Sequence, residues 1–304
     1  MSFSRRPFFL LFFYAAFFIT GSISSSENET THLRMMAANI SSGNQQSYNN
    51  GEGIRIFQGL KPDVVMLQEF NYGNNSANDI RAFVDSTFGE NFHYYREGES
   101  SDQIPNGIIS RYPIIEAGEW EDSDMPNRDF AWARIDIPGD KDLWAISVHL
   151  SAKKSQVRAL EAAKLVEKIC EIIPMQDFVV LGGDFNTQSR NEPPLKILGQ
   201  IVSESESPVD SEGKSETNMN RNKNYDWLLV NPNLESFLVP VQFVQDQAEV
   251  KIENTNQFSH GLVFTSKTFP LLDRVQPIQR GDSTALGMQH LPVVKDFRIP
   301  VLKN

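Results

Sequence analysis

The chain has 304 residues, a formal charge of −11 at neutral pH, 40% hydrophobic residues and one cysteine. That acidity excludes a general polyanion binder acting through bulk field, so any handling of phosphate must be local, through a metal or a few basic groups. A single cysteine excludes an internal disulfide, and Cys170, set in a helical pattern, reads as small core filling rather than a nucleophile.

The N-terminus comes first. Arg5 and Arg6 precede an apolar run from Pro7 to about Ile19, and small residues follow, with Ser22 and Ser24 suited to a cleavage site. This order predicts a secretory signal peptide over residues 1–24 and a secreted or periplasmic protein. The apolar run is shorter than the roughly 20 residues a spanning helix needs, and no later segment is apolar enough to anchor the processed chain. Residues 25–304 are long enough for one sizeable domain with its own core, expected to be a monomer.

Strand-like and helix-like runs then alternate. "LRMMAAN" (33–39) reads as a strand. "GEGIRIFQGL" spaces Ile54, Phe57 and Leu60 as on a helix that ends at Lys61-Pro62. "DVVMLQE" (63–69) is an apolar strand closing on Gln68-Glu69, and "NDIRAFVDSTFG" a short helix stopped by Gly89. Strands follow at "FHYY", "NGIIS", "FAWARIDI" and "LWAISVHL". A helix from about Lys154 to Ile173 should turn Val157, Leu160, Val166, Ile169 and Ile173 inward. "FVVLGGDFNT" (178–187) is the most apolar strand, yet it delivers Asp184 and Asn186 to its end. Residues 203–224 are almost free of apolar side chains and predict an exposed, mobile loop. "YDWLLV" (225–230) and the run after "MQHLPVVKDF" return to strand. Helices first alternate with strands and then give way to β-rich sequence, which predicts an α/β sandwich with mixed sheets.

The strands share a habit. Asn39, Glu69, His149 and Asp184 each follow an apolar strand, Asp226 opens another, and His290 precedes the last. Open α/β sheets collect ligands at strand ends. One such residue is ordinary; six along most of the chain point to a site. Glu69 with Asn39 offers hard oxygen ligands, which favour Mg²⁺ or Mn²⁺, with Ca²⁺ also allowed, over zinc. The histidines and carboxylates suit proton transfer at phosphate ester oxygens. There is no P-loop, GxSxG, GxGxxG or HExxH.

"LQE", "SRYPI", "VHL", "GGDFN", "YDWLLV" and "HLPV" occur in this order, and over about residues 33–300 the chain resembles the endonuclease/exonuclease/phosphatase superfamily of DNase I-like enzymes. The resemblance implies an α/β fold built as a four-layer α/β/β/α sandwich of two mixed β-sheets. It implies Glu69 as principal metal ligand with Asn39 beside it, and Asp184 orienting or deprotonating the attacking water. Asn186 would hold a phosphate oxygen. His290, oriented by Asp226, would activate water or stabilise charge, and His149 would act as acid. Asp129 is the position expected to pair with His149, and Arg128 would reach phosphate. One position departs from the pattern: Gln289 stands where the family carries an aspartate, with Asp282 a conceivable replacement.

The function expected is metal-dependent phosphoester hydrolysis by a secreted phosphodiesterase, with nucleic acid among the substrates. Two alternatives share the scaffold: a lipid or inositol phosphohydrolase, and a phosphate-binding relative without turnover. No short loop rich in Trp or Phe is available to meet a membrane, which counts against the lipid reading.

Overall fold

The computed structural model describes Met1 and residues 29–98, 102–245, 248–249 and 258–301. Apart from Met1, the expected signal peptide lies outside the described residues. No helix among those described is long and apolar enough to cross a membrane.

The chain alternates as expected at first: β1 (Thr30–Ala38), α1 (Glu52–Leu60), β2 (Val64–Leu67), α2 (Ala77–Thr87), β3 (His93–Arg96), β4 (Gly107–Ser110). Next come β5 (Ile114–Trp120), β6 (Phe130–Ile135), β7 (Leu143–His149), α3 (Ser155–Ile172), β8 (Phe178–Asp184) and α4 (Pro193–Leu198). The remainder is β9 (Asp226–Val230), α5 (Pro232–Glu235), β10 (Leu238–Val239), β11 (Val244–Gln245), β12 (Ala248–Glu249), β13 (Leu262–Val263) and β14 (Val293–Pro300). Two sheets result. The first runs β10-β14-β1-β2-β4-β3, with β13 also on β14; the second runs β5-β6-β7-β8-β9. Both are mixed: β1/β2 and β7/β8 are parallel, and the other pairs within them antiparallel.

Three apolar layers hold this together, as a four-layer sandwich requires. Met35, Ala37 and Met66 of the first sheet meet Ala145, Val180 and Leu228 of the second. Ile56, Phe57, Ile80 and Phe83 seal α1 and α2 onto the outer face of the first sheet. Ala162, Leu165 and Ile169 seal α3 onto the second. On that same outer face Trp120, Trp132 and Trp144 stack from strand to strand, with ring centroids 5.9 and 5.5 Å apart.

Where the two sheets come closest, β8 has no room for side chains. A methyl group on Gly182 would sit 2.7 Å from Met66 and 3.3 Å from Ala37; one on Gly183 would sit 2.0 Å from the Val148 carbonyl. Gly183 also has φ +143°, a conformation that disfavours any Cβ. Gly183→Ala should therefore lower unfolding free energy by about 1–3 kcal/mol. Urea denaturation checks this, and an unchanged midpoint would mean the strand can shift to admit a methyl.

Four expectations need correction. β5 is an added strand; it lies at a sheet edge and is mostly half-buried, so its residues carry no clear apolar alternation. On α3 the buried face is rotated: Leu160 is 58% exposed, while Arg158 and Glu161 point inward. Cys170 is exposed rather than core. The polar run 203–224 is neither bare nor detached. Asp210, Thr217, Asn218 and Asn224 are buried in it, and Asp210 pairs with Arg221. A loop can be polar because it satisfies its own backbone from side chains, and this one does.

Candidate active site

Strand register builds the site. β7 and β8 run side by side with His149 opposite Asp184, and β8 pairs β9 with Asp184 opposite Asp226. The second sheet therefore presents His149, Asp184 and Asp226 in one row. The first sheet supplies Asn39 just past β1, Glu69 just past β2, and His290 shortly before β14. β1 and β2 are parallel, so their exits lie together. All six are buried.

Asp184 is the hub. Its Oδ2 lies 3.2 Å from His149 Nε2 and 3.5 Å from His290 Nε2, and accepts from Asn39 Nδ2 at 3.2 Å. Its Oδ1 accepts the Asn186 backbone N–H at 2.8 Å. Asn39 Nδ2 also lies 3.3 Å from Glu69 Oε1. Glu69 further accepts from the Ser41 hydroxyl and, at 2.9 Å, from Gln46 Nε2. His290 Nδ1 lies 3.0 Å from Asp226 Oδ2. Sequence reasoning missed Ser41 and Gln46; both sit in an unremarkable polar stretch, and only folding brings them onto Glu69.

The charges are strongly coupled. Burial alone would lower the basicity of His290, but Asp226 and Asp184 outweigh it and raise its pKa to about 10. The ring is thus an imidazolium at neutral pH. Burial lifts the Asp226 carboxyl to about 6 even against that imidazolium. Burial would raise Asp184 too, yet the imidazoles of His290 and His149 hold it below the usual carboxylate range. A carboxylate so weakly basic suits orienting a water better than deprotonating it.

Arg128 and Asp129 take other roles than those expected. Arg128 is buried, and its guanidinium donates to the backbone carbonyls of His149 and, at 3.1 Å, Leu150. It is spent on the strand exit and not free to reach phosphate. Asp129 accepts the Asp122 backbone N–H at 2.7 Å rather than pairing with His149, whose Nδ1 is buried without a partner among the described residues. The turn after His149 is held from several sides. Asn186 Nδ2 also donates to Leu150 O, Arg158 donates to Ser151 O, and Glu161 accepts from Ser151 N–H. That explains why α3 buries two charged residues.

The polar loop meets the site as well. The Asp226 backbone N–H donates to Thr217 Oγ1 at 2.7 Å, and Leu291 N–H to Thr217 O at 2.7 Å. Asn218 bridges to His290. Gln289 is exposed, and among the described residues only its carbonyl is engaged, by Met219 N–H. Asp282 does not replace it; its carboxylate is bound by Arg55 of α1, 2.6 Å away.

Two donor sets could hold a cation. Asp184, Asp226 and His290 lie close enough to share an ion. Their atoms already pair with one another, His290 Nδ1 with Asp226 and His290 Nε2 with Asp184. The better fit is Glu69 with Asn39, because Asn39 Oδ1 is a buried oxygen with no hydrogen-bond donor among the described residues. A carboxylate and an amide oxygen suit a hard divalent ion.

With this geometry in view, comparison with known proteins is decisive. Residues 36–255 match the Endonuclease/Exonuclease/phosphatase family. The chain belongs to that family. Membership in the family supports phosphoester hydrolysis, and the family works with divalent metals. No curated protein matches the sequence. Among solved structures, the endonuclease/exonuclease/phosphatase from Bacteroides vulgatus superposes with a TM-score of 0.59 at 16% identity, covering 88% of this chain and 99% of its own. A family protein from Bacteroides thetaiotaomicron gives 0.56 at 14% identity, covering 90% and 100%. Truncated Caenorhabditis elegans TDP2 gives 0.54 at 14%, covering 88% and 97%. At such identities the likeness establishes the shared DNase I-like fold.

Proposed function

We propose that this family member is an exported, metal-dependent phosphodiesterase, a monomer that cleaves by direct attack of water on phosphorus, with nucleic acid backbone as its leading substrate class. The observation that carries the reading is the unbroken chain of contacts through Glu69, Asn39, Asp184, His149, His290 and Asp226 where the strand exits of two sheets meet. The charged-apolar-small order of residues 5–24 supports export.

Each residue has a part. Glu69 and Asn39 would hold Mg²⁺ or Mn²⁺, which when bound supplies charge neutralisation at a phosphate oxygen. Asp184, a carboxylate across the working range, orients the attacking water. Asn186 sits beside it at the exit of β8 with φ +51°; one hydrogen of its side-chain amide is donated to the Leu150 carbonyl, and the other would meet a phosphate oxygen. The His290 imidazolium, fixed by Asp226, donates a hydrogen bond to the phosphoryl oxygens as negative charge builds on them. His149 hands a proton to the departing oxygen as the P–O bond breaks, and the proton shed by the attacking water returns to His149 by way of Asp184, 3.2 Å away, so that none is gained or lost.

A second reading has one observation in its favour. Leu286 is 95% exposed on the turn leading to His290, and Gly287 beside it lies against the Ser42 carbonyl. An exposed apolar side chain four residues before His290 favours a phosphoester that carries an apolar group, such as a lipid.

Duplex DNA, single strands, RNA, sphingomyelin and bis(p-nitrophenyl) phosphate, each with Mg²⁺, Mn²⁺ or EDTA, separate these readings. Hydrolysis should stop in EDTA and return with either metal. Full activity in EDTA would refute the role given to Glu69 and Asn39, and no hydrolysis of any ester would leave a phosphate-binding protein.

A further inference from the structure

At the opposite end of the first sheet from the active site lies a second cleft, of about 600 Å³, between the start of β1, the end of α1 and the end of β14. His32 and Arg34, Lys61, Arg111, Arg274 and Arg298 line it, with Asp63 the one lining carboxylate. Such a concentration of cations is the reverse of the chain's overall −11.

The floor is electrically closed. Arg34 makes a two-point pair with Asp296, 2.8 and 2.7 Å, and also donates to Leu60 O and Gln242 O. His32 Nε2 lies 3.0 Å from the same Asp296. Asp63 is saturated by the Arg34 backbone N–H at 2.7 Å and by Arg111 Nε at 3.0 Å. The rim is open. Lys61 and Arg298 are exposed and have no ionic or hydrogen-bond partner for their side chains among the described residues. Among the described residues Arg274 forms its one ion pair with the adjacent, exposed Asp273 at 3.5 Å, and its Nη1 is buried with no acceptor. A buried guanidinium nitrogen without an acceptor is costly, and a ligand oxygen would satisfy it.

We propose that this cleft is a binding site for a small anion carrying two or more phosphoryl groups, separate from the catalytic centre. Arg274 would take one phosphoryl group at the wall, while Lys61 and Arg298, on opposite sides of the mouth, reach a second. A single phosphate could engage only part of this spread of charge, which is why the site selects a multivalent anion. Along β1 and its exit Asn39 lies eight residues beyond Thr31 and five beyond Arg34, so the cleft is about 17–26 Å from the active site. A ligand in the cleft therefore does not occupy the place of the scissile ester.

The test is calorimetric titration of methylenediphosphonate, whose carbon bridge resists hydrolysis, into the full chain in EDTA and low salt. Wild type and Asn186→Ala should bind one equivalent alike, and inorganic phosphate should bind more weakly. Lys61→Ala/Arg298→Ala, which removes two exposed side chains and leaves the fold in place, should weaken binding about tenfold or more. Raising salt from about 20 to about 200 mM should weaken wild-type binding. Phosphoester hydrolysis by the double variant should match wild type. Absence of saturable binding at millimolar ligand would overturn the proposal. So would undiminished binding by the double variant, loss of binding in Asn186→Ala, or loss of hydrolysis in the double variant.

Discussion

Asp184→Asn should lower turnover by about 10²–10⁴-fold, the range a positioned acid–base or water-orienting group contributes. The substitution keeps shape and keeps an oxygen able to accept the Asn186 N–H, so the exit of β8 should hold its geometry. What it removes is the one negative charge shared by His149 and His290. The water then loses its acceptor, and the imidazolium loses one of the two carboxylates that hold its proton. Steady-state rates at saturating substrate, with circular dichroism to show the fold intact, read the effect. Near wild-type turnover would mean that Asp184 is a structural hub and that the water is held elsewhere.

His290→Ala should cost turnover by about 10²–10⁴-fold, and Asp226→Ala should cost nearly as much, because Asp226 acts only through the imidazole it fixes. The informative quantity is their combination. Groups that work as one unit are strongly non-additive, so the double variant should be about as slow as His290→Ala alone. The structure explains why. His290 Nδ1 faces Asp226 at 3.0 Å, and the Asp226 backbone is itself tied to Thr217 in the polar loop. Multiplying effects would show that Asp226 contributes independently, and normal turnover in His290→Ala would remove that residue from the mechanism.

The strand exits were the legible part of the sequence. β1, β2, β7, β8 and β9 are buried on both faces, so they read as continuous apolar runs, and a carboxylate or histidine at the end of such a run stands out. Residues whose role depends on a partner far along the chain did not stand out. Arg128 looks like a surface cation beside a strand; only the fold shows it capping the carbonyls of His149 and Leu150. Arg158 and Glu161 break the apolar stripe of α3, and a pattern that counts only apolar spacing turns the helix the wrong way. Thr217 and Asn218 sit in a run whose composition resembles a bare loop. Composition reports how much water a segment tolerates, not whether its side chains fold back to satisfy its backbone.

All four tryptophans lie in one half of the molecule. Trp120, Trp132 and Trp144 form the stack across β5, β6 and β7, and Trp227 belongs to β9 of the same sheet. The first sheet holds only Phe and Tyr. Intrinsic indole fluorescence therefore watches one layer of the sandwich, whereas far-ultraviolet dichroism watches both. Superimposable curves from these two probes are the condition under which a single free energy describes this chain's unfolding. Separate curves would mean that the sheet carrying Asn39 and Glu69 can come apart while its partner still looks native to the spectrometer.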